Sequence, residues 1–153
     1  MLGAITAPED RKARGLHITY PKREPEFRRR IHGEAKGGAV RLDHPVEGHI
    51  AIGEGIETCL AWRVLTGQPV WAAMASPFLP HVPLPKDLKA LTVIADFDGA
   101  GIKAAEALVR RAEEGGIDCR IELPGRPAGF GLDFNDALRQ VNAGAENIYR
   151  EGY

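Results

Sequence analysis

Cysteine is scarce in this 153-residue chain, which holds only Cys59 and Cys119. They lie far apart and outside any Cys-x-x-Cys pair, so no thiolate zinc site can be read. Two buried thiols are expected rather than a disulfide. Long apolar runs are also missing. Nothing approaches the ~20 residues that a membrane-spanning helix needs. The start of the chain, Met1 to Arg14, is poor in apolar side chains and carries Glu9 and Asp10. It does not read as a signal peptide, and the expected location is the cytoplasm. An excess of one charge is absent as well. The net charge is -1, which excludes a polycation. Internal repeats and low-complexity tracts are not found.

What is present is ordinary for a globular protein, with 44% hydrophobic and 27% charged residues. The length suits one domain with a substantial core. The charge is unevenly spread. Residues 1–48 hold ten Lys and Arg against seven Asp and Glu, and the remainder ten against fourteen. Lys22, Arg23, Arg28, Arg29 and Arg30 dominate the basic part. Such a cluster can contact nucleic-acid phosphates; the plainer reading is a solvated face.

Residues 1–15 are polar and read as a flexible segment. Residues 16–48 read as a small antiparallel β section, with strands at Leu16–Tyr20, Phe27–His32 and Ala39–Leu42 and a turn at Gly37-Gly38. From His49 the pattern becomes strand and helix in alternation. Strands are expected at Ile50–Gly53, Pro69–Met74, Leu91–Ala95 and Ile117–Leu123. Helices are expected at Ile56–Leu65, with Leu60, Ala61, Val64 and Leu65 inward, at Ile102–Glu114, and at Phe134–Val141. A Pro-rich loop occupies Ser76–Leu88. Alternation of this kind implies an α/β fold with a mostly parallel sheet flanked by helices. This domain is placed at 49–145, with a tail at 146–153.

Acidic turns follow the apolar strands. Glu54-Gly55 follows the first, and Asp96-Phe97-Asp98-Gly99-Ala100-Gly101 follows the third. Asp133-Phe134-Asn135-Asp136 opens the last helix. Carboxylates gathered at one edge of a parallel sheet repel each other unless a hard cation such as Mg²⁺ lies among them. Residues i and i+2 of an extended chain share a side, so Asp96 and Asp98 are candidate metal ligands. Gly99 and Gly101 allow a tight turn, and the helix that begins there favours phosphate. Glu54 is a candidate ligand or general acid/base. Asp133 and Asp136 are candidates for a third contribution, although helix capping would explain one of them. Ser76, after the second strand, and Lys103, in the first turn of the helix, are candidate phosphate contacts. Divalent metal among carboxylates points to phosphate chemistry.

Taken together, Glu54-Gly55-Ile56-Glu57-Thr58, Ala95-Asp96-x-Asp98-x-x-Gly101 and Asp133-Phe134-Asn135-Asp136 resemble the Toprim domain. The resemblance is to the Toprim domains of phage- and plasmid-type primases and primase-helicases, and it covers about residues 15–140. It implies a compact Rossmann-like fold, with Glu54 as general acid/base. Asp96 and Asp98 would bind Mg²⁺ or Mn²⁺, assisted by Asp133 or Asp136. The implied activity is nucleotidyl transfer on a single-stranded DNA template. Many primases have an acid four residues after the first Glu; here that position is Thr58. Zinc-binding and helicase sections usual in full primases are not recognised, so the chain is expected to be a module of a larger primase or a partner of such domains.

Other functions share these residues. A Mg²⁺-dependent nuclease would use the same carboxylates. A non-catalytic module would bind nucleic acid or protein without turnover. Topoisomerase activity needs a tyrosine nucleophile in a context that Tyr20, Tyr149 and Tyr153 do not offer. Asp96-Phe97-Asp98-Gly99 also resembles the first motif of haloacid-dehalogenase-type phosphatases. Ala100, however, replaces the expected Thr or Val, and too little chain follows for the remaining motifs.

Overall fold

The computed structural model describes residues 1–7, 12–20, 24, 29–124 and 133–142. Eight strands form one sheet: β1 Leu2–Thr6, β2 Ala13–Thr19, β3 Arg29–Gly33, β4 Ala39–Arg41, β5 His49–Gly53, β6 Val70–Ala72, β7 Ala90–Ile94 and β8 Asp118–Glu122. The helices are α1 Ile56–Thr66, α2 Gly99–Glu114 and α3 Phe134–Asn142, and a short 3₁₀ helix spans Ser76–His81. The strand order is β3-β2-β1-β4-β6-β5-β7-β8. Pairing is parallel for β6-β5-β7-β8 and antiparallel for the rest. The fold is therefore α/β, and the antiparallel section continues the parallel one through β4 and β6. No helix among the described residues is long and apolar enough to cross a membrane.

Alternation along the central strands sends side chains to two cores. Ile50, Ile52, Leu91 and Val93 face one layer, where Ala105, Leu108 and Ala112 of α2 pack with Leu79, Val82 and Leu88. Ala51, Val70, Ala72 and Ile94 face the other, against Ile56, Cys59 and Trp62 of α1 and Phe134 of α3. Strands buried on both faces are expected to be largely apolar, as β5 and β7 are; their polar members, His49 and Thr92, share a hydrogen bond of 2.9 Å. Helix α1 ends at Gly67, whose φ of 73° closes it in the left-handed conformation. Cys59 is buried and Cys119 half-buried, and both are free thiols. Burial pushes the Cys59 thiol far up, and Cys119 up to about 11.

Several expectations are corrected. Residues 2–6 are not loose: β1 lies between β2 and β4. Its burial alternates, with Gly3 and Ile5 inward, so only one large apolar side chain marks it in the sequence. Strand β2 starts at Ala13, and β3 ends one residue later than expected, at Gly33. Helix α2 begins at Gly99 rather than Ile102 because Asp98 caps it. In α1 the expected Ala61 is buried and Leu60 and Leu65 pack against the core, but Val64 is 69% exposed, and the most deeply buried stripe is Ile56, Cys59 and Trp62. Spacing of three residues per contact places that stripe on one side. The expected tail at 146–153 lies outside the described residues.

Close packing of α1 on β5 depends on Gly53. A Cβ there would stand 2.8 Å from Cys59 Sγ and 3.2 Å from Ile94 Cβ. Gly53→Ala should therefore destabilise the fold by about 1–3 kcal/mol through overpacking. Adding Cys59→Ala should recover part of the loss in a urea melt, because it removes the nearest obstructing atom.

Candidate active site

Strands β5 and β7 are neighbours in register, with Gly53 beside Ile94. The chain leaves β5 into α1 on one face of the sheet and β7 into α2 on the other. Such a divergence opens a crevice beyond the strand ends, the usual ligand position in open α/β sheets. Glu54 follows β5 there, and Asp96 and Asp98 follow β7.

Asp96 is the most constrained of these acids. Its Oδ1 is buried and has no hydrogen-bond partner. Loss of solvent, reinforced by the charges of Glu54, Asp133 and Asp98, raises its pKa from the ordinary 3.8 to about 7; Arg29 opposes the rise. Residues from four separate chain segments thus act on one carboxyl group.

Asp98 has a different position. Its amide donates to the Asp96 carbonyl at 2.7 Å, so the chain turns tightly here instead of running extended. Asp98 Oδ1 accepts from the amides of Ala100 at 2.9 Å and Gly101 at 2.7 Å, capping α2. The tight approach falls on Gly101, where a Cβ would lie 2.7 Å from the Asp96 carbonyl oxygen. Gly99, by contrast, has open space around it.

Glu54 accepts a hydrogen bond at Oε1 from Ser76 Oγ, 3.0 Å away. Ser76, expected as a phosphate contact, is thus a carboxylate partner. Asp133 and Asp136 form a reciprocal cap on α3. The Asp136 amide donates to Asp133 Oδ1 at 2.9 Å, and the Asp133 amide to Asp136 Oδ2 at 3.4 Å. Asp136 also pairs with Arg139 at 3.0 Å. The second oxygen of Asp133 accepts from Thr58 Oγ1 at 3.3 Å. Asp133 joins the electrostatic neighbourhood of Asp96, while the contacts of Asp136 lie within α3 and its cap.

The basic candidates separate. Arg29 pairs with Glu57 at 3.4 Å, and Thr19 donates to the same carboxylate at 3.3 Å. Glu57 thereby joins the first turn of α1 to β2 and β3. Arg30 is the next residue of β3 and so projects to the opposite side of the sheet. Arg28 lies outside the described residues. Lys103, expected in the first turn of its helix, is exposed on the second turn, because α2 begins at Gly99.

Among the described residues, no group of three or more His, Cys, Asp or Glu side chains stands ready to enclose a metal. Mg²⁺ does not require such a cage. It commonly binds through one or two carboxylates and completes its shell with water and phosphate. The unpartnered oxygen of Asp96 among other acids fits that donor set. The N-terminus of α2 beside it favours an anion.

The Toprim domain model matches residues 49–144. The chain belongs to the Toprim family. Among solved structures, this Toprim fold resembles the DnaG primase catalytic domain bound to ssDNA, with a TM-score of 0.65 and 14% identity. That match covers 91% of this chain and 48% of the other. The DnaG catalytic core gives a TM-score of 0.64 at 14% identity, covering 89% of this chain and 47% of that one. The zinc-binding and RNA polymerase domains of Aquifex aeolicus primase give 0.59 at 17% identity, covering 90% and 36%. The chain thus spans about half or less of these proteins' lengths, and at such identities they show a shared fold. No curated protein matches the sequence.

The raised pKa of Asp96 in this Toprim domain has a thermodynamic consequence. The stability tied to its protonated form is complete below about pH 4 and is lost as pH rises towards 7. Asp96→Asn cannot ionise. It should melt higher than the wild type at pH 8 without divalent ions, and at the same temperature near pH 4. Equal melting temperatures at pH 8 would show that Asp96 is not desolvated.

Proposed function

We propose that this Toprim domain carries out Mg²⁺-dependent, primase-type nucleotidyl transfer on single-stranded DNA, as a module of a larger replication protein. The observation that carries this reading is the buried, unpartnered oxygen of Asp96 among acids at the sheet's divergence point. Clustered carboxylates are costly for a scaffold and useful to a site that receives a cation and phosphate.

Asp96 and Asp98 would hold the metal, with Asp133 contributing negative charge beside them. When bound, Mg²⁺ or Mn²⁺ supplies charge neutralisation at phosphate oxygens. Glu54, with one oxygen held by Ser76, keeps its second oxygen for proton transfer with the reacting hydroxyl. The N-terminal end of α2 would face phosphate, and Lys103 on its second turn adds positive charge. Arg29 flanks the acidic centre from β3, where a template backbone would be attracted. Arg28 and Arg30 belong to the same basic segment in sequence. The nucleotides, a helicase and a zinc-binding primase domain are the partners this reading requires, in cytoplasmic replication of phage or plasmid type.

The test begins with calorimetric titration of Mg²⁺ and Mn²⁺ into the wild type, Asp96→Asn and Glu54→Gln. The wild type should bind, Asp96→Asn should not, and Glu54→Gln should bind with turnover reduced by about 10²–10⁴-fold in primer synthesis. Phosphodiester cleavage without primer synthesis would assign the same residues to a nuclease. Absence of divalent binding, even with nucleotide or oligonucleotide present, would leave a non-catalytic binding module.

A further inference from the structure

Thr58 lies within α1 yet is only 4% exposed. Its hydroxyl is spent on a residue far along the chain, Asp133 Oδ2, at 3.3 Å. A buried threonine facing a carboxylate is not needed for apolar packing, since valine would fill the same volume. The other Asp133 oxygen is already fixed by the Asp136 amide. Together the two contacts leave the carboxylate little rotational freedom. Phe134, fully buried beside it, anchors the start of α3 in the same core as α1. That core also holds Ile94, two residues before Asp96, so the packing of Phe134 brings Asp133 to the end of β7, where it is one of the charges that act on Asp96.

From this geometry we infer that Thr58 is a positioning residue. It locks the Asp133 carboxylate from α1, and so sets the negative field into which a divalent cation binds at Asp96. The inference rests on the metal-binding reading above and deepens it. It also gives α1 two tasks at one site: its preceding turn supplies Glu54, and its first full turn orients an acid from α3. A hydroxyl performs this without adding another charge to a crowded centre. Removal of partners that orient metal-site groups typically costs 10–100-fold in affinity.

The experiment is a double-mutant cycle with Thr58→Val and Asp133→Asn, read by thermal melts without metal and by Mn²⁺ calorimetry. Thr58→Ser serves as the conservative control. Thr58→Val should weaken Mn²⁺ binding about tenfold, Thr58→Ser should stay near the wild type, and Thr58→Val should change nothing further in the Asp133→Asn background. The melts should show coupling between the two positions. Equal Mn²⁺ affinity of Thr58→Val and wild type would overturn the inference. So would an undiminished Thr58→Val effect when Asp133 is already Asn, or melts without coupling. A wild type that binds no Mn²⁺ at all would instead refute the functional reading on which the inference stands, and the inference with it. The melts would still report whether the hydrogen bond exists.

Discussion

The desolvated carboxyl group of Asp96 is the constraint around which the molecule is arranged. Each acid near it raises the cost of ionising it, and only a rigid frame can hold like charges together. The frame consists of β5 and β7, buried on both sides, with a helix departing from each on opposite faces. Hydroxyls and amides then fix the acids individually. Ser76 holds Glu54, the first amides of α2 hold Asp98, and Thr58 and the Asp136 amide hold Asp133. Asp96 Oδ1 is left without such a partner. On the proposed reading, this asymmetry leaves Asp96 as the acid that receives the cation.

Much of this could be read from the residues in order. The apolar runs of β5 and β7 and the acids after them point to the candidate site because both signals are local. The amphipathic period of α2 is equally local, and it puts Ala105, Leu108 and Ala112 on the inward side. The inner side of α1 was harder to find. Ile56, Cys59 and Trp62 compete with Val64 and Leu65 for an inward position, and only the sheet decides between them. β1 carries one large inward side chain, so its strand character comes from pairing with β2 and β4 and not from hydrophobicity. The same limit applies to the acids. Nothing in the spacing of Asp133 and Asp136 tells which faces the centre, since they cap α3 reciprocally. Their surroundings are separated by Thr58, 75 residues away from Asp133 in sequence, and by Arg139, which pairs with Asp136.

The basic segment and the acidic edge prove to be physically related. Arg29 is close enough to lower the pKa of Asp96 and is itself held by Glu57, next to Thr58 on α1. With Arg29 largely in solvent, the ion pair adds little stability. On the proposed reading the significance of Arg29 is positional, because a cation at the border of a negative centre would offer an approaching polyanion a place to begin. His17, buried nearby, has its pKa lowered by lost solvent despite Glu57. It stays neutral and does not add to that positive border at neutral pH.

The antiparallel pairing of β4 with β6 reaches beyond local architecture. Through Val40 beside Ala72 and Arg41 beside Trp71, it closes the side of β6 that the parallel strands leave open. The N-terminal strands therefore act as a cover for an adhesive margin. Were they stripped away, the backbone groups of β6 would be presented to any passing strand, and self-association would compete with folding. Strand β4, backed by β1, β2 and β3, thus guards that margin against pairing with another chain.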